Sequence, residues 1–371
     1  MSRIDELVKK HNPNGVAFEA LNLVSEIKRG TTITKNATGE GVIPVLAGGL
    51  QPAYFHDKFN RQGETIVVAG SGANAGFVTW WNKPIFVSDA FSIKTLDSTL
   101  ESKFCFYVLK NLQDKLHELK SGGGVPHVYG KDVGKFRVPI PALEVQREIV
   151  RVLDLFQELE AELEAELEAR KKQYEYFSET VFSLEDDEVV NVSIRDVCHI
   201  SRGTVISKDY LRDHAGVFPV YSSQTMNQGV FGFIDTYAYD FESLTWTTDG
   251  ANAGSIFYHV DEKFTITNVC GLLKVKDPAM VSTRFLYFLL RTQAKKYVSA
   301  GMGNPKLMAG DMGDIRIAIP SFEKQKKIVE VLDRFDLLLN DLSVGLPAEL
   351  IARRKQYEYY RNRLLTFEEA V

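Results

Sequence analysis

The second half of this 371-residue chain repeats the first half. The motif Gly-Ala-Asn-Ala-Gly occurs at residues 72–76 and again, unchanged, at 250–254, and Ile-x-Arg-Gly-Thr opens each copy at 27–31 and 200–204. The sequence Lys-Gln-Tyr-Glu-Tyr occurs near the end of both copies, from Lys172 and from Lys355. Two copies of this length predict a tandem duplication with pseudo-two-fold symmetry, so we expect two similar sites.

Each copy begins with a segment that predicts a small α+β unit. In the first copy, short β-type runs at Thr65–Val68 and Phe77–Trp81 flank the glycine turn. A helix from Ser102 to Lys120 follows and ends at a glycine run. The second copy has the same order, with β-type runs at Leu244–Trp246 and Ser255–Tyr258 and a helix from Thr283 to Ser299.

A long amphipathic helix is predicted after each unit, because apolar residues recur three and four positions apart. In the first copy it runs from Val145 to Phe182, about 57 Å at about 1.5 Å per residue. In the second copy, Gly345 and Pro347 predict a kink or a break. The apolar stripes need a partner, and we expect the two helices to pack on each other through Phe156, Leu163, Tyr174, Phe335, Leu342 and Tyr357.

The predicted architecture is therefore α+β: two α+β domains separated by two long antiparallel coiled-coil-like helices, with an internal pseudo-two-fold repeat. The expected bounds are 1–143 for the first domain and 144–184 for the central helix. The second domain is expected at 185–322 and the C-terminal helix at 323–371.

Composition argues against several other classes of protein. No window approaches 18 uncharged apolar residues and the first residues carry no apolar leader, so we expect a cytoplasmic protein. The three cysteines form no CxxC pair and no His-Cys-Asp cluster has the spacing of a metal site, so neither a disulfide framework nor a metal site is expected. The net charge of −5 is concentrated in two acidic segments, which leaves the rest of the chain mildly basic and compatible with DNA binding.

These residues resemble the specificity subunit of type I restriction-modification systems, the HsdS family. The resemblance covers the whole chain and rests on Asn14-Gly15-Val16, the two Ile-x-Arg-Gly-Thr motifs, the Ile-Pro entries to the helices, residues 345–349 and the Lys-Gln-Tyr-Glu-Tyr pair. It implies two target recognition domains that each read half of a bipartite double-stranded DNA sequence, and helices that set the gap and dock the other subunits.

The resemblance also implies that this chain is not itself an enzyme. Its partners would be two modification subunits, which methylate adenine N6 with S-adenosylmethionine, and restriction subunits that use ATP and Mg. The sequence agrees, since it contains no GxxxxGK[ST] phosphate loop and no Asn/Asp-Pro-Pro-aromatic motif of an amino-methyltransferase. We expect no cofactor on this chain and no membrane partner.

Most of the candidate DNA-binding residues recur at equivalent places in the two copies. Shared cations suit phosphate contacts, although exposed lysine and arginine also occur simply as solvated surface. The asparagines and glycines of the repeated motif could contact DNA or only shape a turn. The loops Ser121 to Lys131 and Ala300 to Gly310 differ in chemistry within one frame, which suits base readout or a plain helix-to-strand connection. The candidates are Arg29, Lys35, Asn74, Gly76, His127, Arg202, Lys208, Asn252, Asn304 and Lys306.

Basic residues beside the repeated tyrosines are candidates for contact with partner subunits: Arg170, Lys172, Arg353 and Lys355. Two other functions compete with DNA reading. A coiled-coil scaffold that bridges proteins would assemble without DNA. A nucleic-acid enzyme would need its own site, but scattered acids such as Asp57 and Asp249 form no metal-dependent nuclease motif.

Overall fold

The computed structural model describes residues 3–96, 98–122, 124–182, 189–299, 303–341 and 343–370. The expected packing residue Leu342 therefore lies outside the described residues. The chain forms two compact units: the first unit comprises Met1–Glu164 with Leu350–Val371, and the second unit comprises Ala165–Glu349.

The described residues of the first unit form three small sheets. The strands are β1 (Ala17–Ala20), β2 (Ser25–Arg29), β3 (Ile43–Leu46), β4 (Tyr54–His56), β5 (Glu64–Ala69), β6 (Val78–Asn82), β7 (Phe86–Val87), β8 (Ala90–Thr95) and β9 (Arg137–Ile140). The main sheet is antiparallel and has the order β2-β8-β5-β6, a second sheet has the order β4-β3-β7, and β1 pairs with β9.

The second unit has the same topology. Its strands are β10 (Val190–Ser193), β11 (Cys198–Arg202), β12 (Phe218–Tyr221), β13 (Val230–Ile234), β14 (Ser243–Thr247), β15 (Ile256–His259), β16 (Thr265–Ile266), β17 (Cys270–Val275) and β18 (Arg316–Ile319). The main sheet has the order β11-β17-β14-β15, the second sheet has the order β13-β12-β16, and β10 pairs with β18. The predicted repeat is therefore present in the strand order as well as in the sequence.

Short helices and helical turns connect the strands. In the first unit they are α1 (Arg3–His11), α2 (Leu21–Val24), α3 (Ser102–Asn111), α4 (Gln113–Glu118), α5 (Gly130–Val133) and a 3-10 turn at Lys35–Ala37. In the second unit they are α7 (Ile194–Val197), α8 (Lys208–Asp213), α9 (Thr283–Gln293), α10 (Ala309–Asp314) and 3-10 turns at Met226–Gly229 and Ala294–Tyr297.

The predicted single helices at 102–120 and 283–299 are wrong in detail. The first is interrupted at Leu112, whose backbone leaves the helical region. The interruption places Gln113 against the glycine turn, where its side chain accepts from the Val78 amide at 3.1 Å and donates to the Gly76 carbonyl at 2.7 Å. The second changes to a 3-10 turn after Gln293.

The long helices follow the sequence pattern closely. The central helix α6 is continuous over Leu143–Val181, and the later helical region is divided into α11 (Phe322–Asn340) and α12 (Leu346–Leu364), which confirms the predicted break. Gly345 lies at that break, and a Cβ there would stand 2.6 Å from the Leu337 carbonyl oxygen. Proline lacks an amide hydrogen and is tolerated at the start of a helix, where Pro347 lies.

Each unit buries part of the helical stripe in its own core. In the first unit, Val145, Ile149 and Leu153 of α6 are fully buried in the same cluster as Ile66 and Phe104. In the second unit, Ile328 and Leu332 of α11 belong to the cluster of Trp246 and Phe285. Complete burial of one such aliphatic side chain stabilises the fold by about 1.5–3 kcal/mol, so the helices are integral to these cores.

Within the described residues, no helix is both long and apolar enough to cross a bilayer.

Candidate nucleic-acid interface

The two Gly-Ala-Asn-Ala-Gly motifs form the same tight turn between the third and fourth strands of the main sheets. The first and last glycines of each motif have positive φ, between +81° and +90°, a conformation that favours glycine. Gly76 is buried and its N–H donates to the Ala69 carbonyl at 2.8 Å, while the N–H of Gly254 donates to the Thr247 carbonyl at 2.9 Å. The turn geometry explains why glycine stands at these positions, and contact of Asn74, Gly76 and Asn252 with DNA stays a prediction.

The loop after the helical region returns to each turn and is tied to it. In the first unit, the Gly72 N–H donates to the Pro126 carbonyl at 2.9 Å, and the Val128 N–H donates to the Gly70 carbonyl at 3.0 Å. His127 lies between these two contacts and is half-buried. The loop is therefore part of the sheet edge and not a free connection.

The second unit repeats that arrangement with different side chains. The Gly250 N–H donates to the Pro305 carbonyl at 3.0 Å, and the Leu307 N–H donates to the Thr248 carbonyl at 2.9 Å. Lys306 stands where His127 stands in the first unit and is exposed, as is Asn304. The Trp246 indole fastens this loop further by donating to the Leu307 carbonyl at 2.8 Å.

A cavity of about 420 Å³ lies beside the first loop. Arg29, at the end of β2, lines it together with His127, Tyr129, Lys131 and Asp89. The His127 and Tyr129 rings stack nearly parallel, with centroids 6.1 Å apart, and the Lys131 ammonium lies 5.7 Å from the Tyr129 ring centre. The cavity thus combines cationic, aromatic and hydrogen-bonding groups suited to a nucleic acid.

The other predicted cations are exposed at corresponding places in the two units. Arg202 ends β11 as Arg29 ends β2, and its Nε donates to the Asn268 carbonyl. Lys35 lies in a 3-10 turn and lines a shallow groove with Phe55, and Lys208 begins α8. The structure brings Arg29 and His127 to one cavity but does not bring Lys35 into it.

The sequence matches the family described as "Type I restriction modification DNA specificity domain" twice, over residues 13–169 and 186–352. The chain belongs to the type I restriction-modification DNA specificity family.

Individual relatives of this specificity chain agree with that assignment. It is 37% identical over 251 residues to a Mycoplasma pneumoniae chain named as type I specificity subunit S.MpnORF365P, covering 66% of this chain and 91% of that one. It is 28% identical over 362 residues to the Escherichia coli "Type I restriction enzyme EcoR124I/EcoR124II specificity subunit", covering 84% and 88%. The crystal structure of the type I S subunit from M. genitalium superposes with a TM-score of 0.65 at 20% identity and covers 96% of this chain and 97% of that chain, a likeness of fold.

Helix packing in the first unit of the specificity chain joins the beginning of α6 to the end of α12. The Phe156 ring lies 6.3 Å from Tyr357 and stacks on Tyr360 at 5.5 Å. Further along α6, Glu160 accepts from Arg354 at 2.6 Å. Residue numbers rise on α6 while they fall on α12, so this pair of helices is antiparallel.

The second unit uses the rest of α6 in the same way. Tyr174 and Phe177 pack on Phe335 of α11, with ring centres 6.0 and 6.1 Å apart. Leu163, a predicted packing residue that belongs to the first unit, is half-buried. The tyrosine two positions further on is exposed in each copy, 72% for Tyr176 and 59% for Tyr359, so each repeated motif presents one tyrosine inward and one outward.

The residues expected to contact partner subunits lie on the helix surfaces. Lys172 and Lys355 are exposed, whereas Arg170 and Arg353 are half-buried. Arg170 donates to Gln173 at 3.0 Å, and Arg353 donates to Gln356 at 3.2 Å, so the two arginines have equivalent neighbours. Contact with partner subunits stays a prediction for all four.

In the part of the chain that the structure describes, no three His, Cys, Asp or Glu side chains lie close enough together to hold a metal ion. Cys105, Cys198 and Cys270 are buried, and burial raises the pKa of each thiol to about 12. A thiol with so high a pKa is a poor nucleophile at neutral pH.

Several cavity-lining or exposed residues were not singled out from the sequence. Tyr129 and Lys131 belong to the first cavity, and their position two and four residues after His127 was the available signal. Phe55 and Phe233 are 55% and 52% exposed and stand opposite Pro44 and Pro219 in the second sheets. No repeated motif marks these phenylalanines, because the strands that carry them have diverged in sequence.

Proposed function

We propose that this chain gives a type I restriction-modification complex its DNA specificity by reading a bipartite target, one half with each unit. The observation that carries this proposal concerns the loops of His127 and Lys306. The two loops make the same backbone hydrogen bonds in the two units, but they present different side chains. Phosphate contacts can be shared by the two units, whereas different half-sites require different groups at base edges.

In this proposal the chain binds and positions, and its partners perform the chemistry. Two modification subunits carry S-adenosylmethionine and methylate adenine N6 after extruding the base from the duplex. Restriction subunits carry ATP and Mg and cleave unmodified DNA. The match of both halves to the DNA specificity family supports a binding role for this chain.

We assign subunit docking to the outward surface of the long helices. The repeated Lys-Gln-Tyr-Glu-Tyr motif presents an exposed tyrosine and an exposed lysine in each copy, Tyr176 with Lys172 and Tyr359 with Lys355. A surface that occurs twice suits two copies of one partner. Tyrosine is also a side chain that protein interfaces favour.

Single-molecule methylome sequencing tests the DNA-reading proposal. Cells that express this chain with its modification subunit are compared with cells that express the modification subunit alone. The expected result is a new bipartite adenine motif that depends on this chain. If the complex assembles and the modification subunit is competent but no motif appears, the scaffold function is favoured.

A second experiment tests the spacing role of the helices. Deleting one helical turn from α6 should shorten or abolish the permitted gap between half-sites without altering either half-site sequence. An unchanged gap in the methylome of the deletion variant would contradict that role.

A further inference from the structure

Position 127 in the first unit and position 306 in the second have the same backbone surroundings. The His127 N–H donates to the Ser121 carbonyl at 2.8 Å, and the Ser121 N–H donates back at 3.0 Å. Lys306 exchanges the same two bonds with Ser299, at 3.4 and 2.8 Å. On its other side each residue bridges the glycine turn, His127 with Ser71 and Lys306 with Asp249.

The residues around the two positions are also alike. A proline precedes each one and contributes its carbonyl to the turn, and a buried aliphatic residue follows each, Val128 or Leu307. The main chain is thus held from both sides in both units, and the side chain is what differs. A substitution here changes the presented group while the frame that presents it stays in place.

The two side chains offer different hydrogen-bonding chemistry. Lysine carries three donors and no acceptor, whereas a neutral imidazole has one donor and one acceptor. Lys306 is exposed and makes no ion pair within the described residues, so its ammonium is available. His127 is held by its nearly parallel stack on Tyr129, with 18° between the ring planes.

Resting on the function proposed above, we propose that positions 127 and 306 are the specificity-determining pair, and that Lys306 reads a guanine in the half-site of the second unit. Guanine offers two adjacent acceptors, O6 and N7, in the major groove. Adenine places a donor beside its N7, which disfavours an ammonium group. The imidazole of His127 offers one donor and one acceptor and lies in the cavity lined by Arg29 and Lys131. The first unit therefore does not require guanine at this position.

The test exchanges the two side chains in the assembled complex. The variants Lys306→His, His127→Lys and the double exchange are each expressed with the modification subunit, and the methylome is sequenced. Lys306→His should reduce methylation of the wild-type motif about tenfold and change the preference at one base pair of one half-site. His127→Lys should change one base pair of the other half-site, toward guanine.

A second substitution at position 306 tests which base this side chain selects. Glutamine pairs with adenine through a donor and an acceptor, so Lys306→Gln should move that position from guanine toward adenine. Lys263→His makes the same chemical change at an exposed lysine elsewhere in the second unit and should leave the motif unaltered.

The outcomes separate this inference from the proposed function. If the wild-type complex yields no bipartite motif, the proposed function itself fails. A bipartite wild-type motif that stays unchanged in all position-127 and position-306 variants overturns the inference alone. Uniform loss of methylation in both Lys306 variants, with no new preference, would assign Lys306 to a phosphate contact and would also overturn it.

Discussion

Gln146 and Gln325 are equivalent, fully buried residues whose side-chain amides make the same three hydrogen bonds in the two units. Gln146 accepts from the Glu101 N–H at 2.9 Å and donates to the carbonyls of Thr99 and Pro141. Gln325 accepts from the Ser282 N–H at 2.9 Å and donates to the carbonyls of Met280 and Pro320. Each glutamine therefore joins the start of a long helix to the start of the helix that follows the main sheet.

Replacing either glutamine with leucine should destabilise its unit strongly. The substitution leaves one donor and two acceptors without partners in a dry environment, and each unsatisfied group costs about 1–3 kcal/mol. We expect a loss of about 3 kcal/mol for Gln146→Leu, measured as a lower urea midpoint. Gln51→Leu, at an exposed position, should change the free energy of unfolding by less than about 0.5 kcal/mol. If Gln146→Leu and Gln51→Leu changed the free energy of unfolding equally, the hydrogen bonds of Gln146 would not stabilise the first unit as expected.

The two glutamines illustrate which parts of the fold can be predicted from the sequence. Gln146 and Gln325 lie in the most similar stretch of the repeat. The long helices were predicted from periodicity, the break from Gly345 and Pro347, and β5, β6, β14 and β15 from the β-type runs beside the glycine turns. Their partners in the main sheets, β2, β8, β11 and β17, were not predicted. The second sheets were not predicted, because their two- to five-residue strands lack a sustained alternation.

At one equivalent strand pairing, the two main sheets place their large and small side chains on opposite strands. The sequence alone does not reveal this difference. Val68 pairs with Phe91 in the first unit, and Trp246 pairs with Gly271 at the same register in the second. A Cβ at Gly271 would lie 2.1 Å from the Trp246 ring. We expect Gly271→Ala to destabilise the second unit by about 2–3 kcal/mol through overpacking.

Transplanting the pair from the first unit tests this explanation. The double variant with Trp246→Val and Gly271→Phe should be less destabilised than the sum of its two single variants, because the residues share one volume. Thermal unfolding of all three variants measures the coupling. Additive effects would show that the ring and the glycine do not depend on each other.

In the second unit, the Arg284 guanidinium on α9 connects α11 and the main sheet. It donates to Asp333 at 2.7 Å and lies 4.8 Å from the ring centre of Tyr258. Lys103 occupies the corresponding place in the first unit, 2.8 Å from Asp154 and 4.9 Å from the Trp80 ring centre. The planar guanidinium can stack and bind at once, so Arg284→Lys should cost about 1–2 kcal/mol. Lys103→Arg should be tolerated, and urea unfolding of both variants distinguishes the two positions.

Glu148 provides a pH-dependent contribution to the first unit. Arg151 donates to both of its carboxylate oxygens, at 2.8 and 3.0 Å, and this pairing holds the pKa of Glu148 below its ordinary value of 4.5. A carboxyl whose folded pKa is depressed adds stability above its unfolded pKa, and that stability is lost as the pH falls through the folded pKa. Arg151→Met should therefore lower the urea midpoint at pH 7, and the difference from wild type should shrink below about pH 4. Lys171→Met, at an exposed position on the same helix, should show no such pH dependence.

The candidate site was predictable only in part. The recurrence of a proline before His127 and before Lys306 marked the two loops, because a shared frame leaves a trace in the sequence. For the cavity of Arg29, Tyr129 and Lys131 the only signal was the position of Tyr129 and Lys131 shortly after His127, since the cavity depends on how the loop pairs with the turn and on where β2 ends. An internal repeat is detected through residues that the two copies share. Side chains that differ between the two recognition units therefore cannot be found in this way.

Lys35 and Lys208 should contribute to DNA affinity without contributing to sequence preference. Both are exposed and recur at the same place after the Ile-x-Arg-Gly-Thr motif, as contacts to phosphate would. Each lost phosphate contact reduces the slope of log affinity against log salt concentration by about 0.9 for B-form DNA. We expect Lys35→Ala and Lys208→Ala each to reduce the slope of the assembled complex by about that amount, measured by fluorescence anisotropy between 50 and 200 mM salt. Lys94→Ala removes an equally exposed charge from the main sheet and should leave the slope unchanged. A changed base preference in the lysine-to-alanine variants at 35 or 208, in place of a changed slope, would move those residues from the phosphate backbone to the base edges.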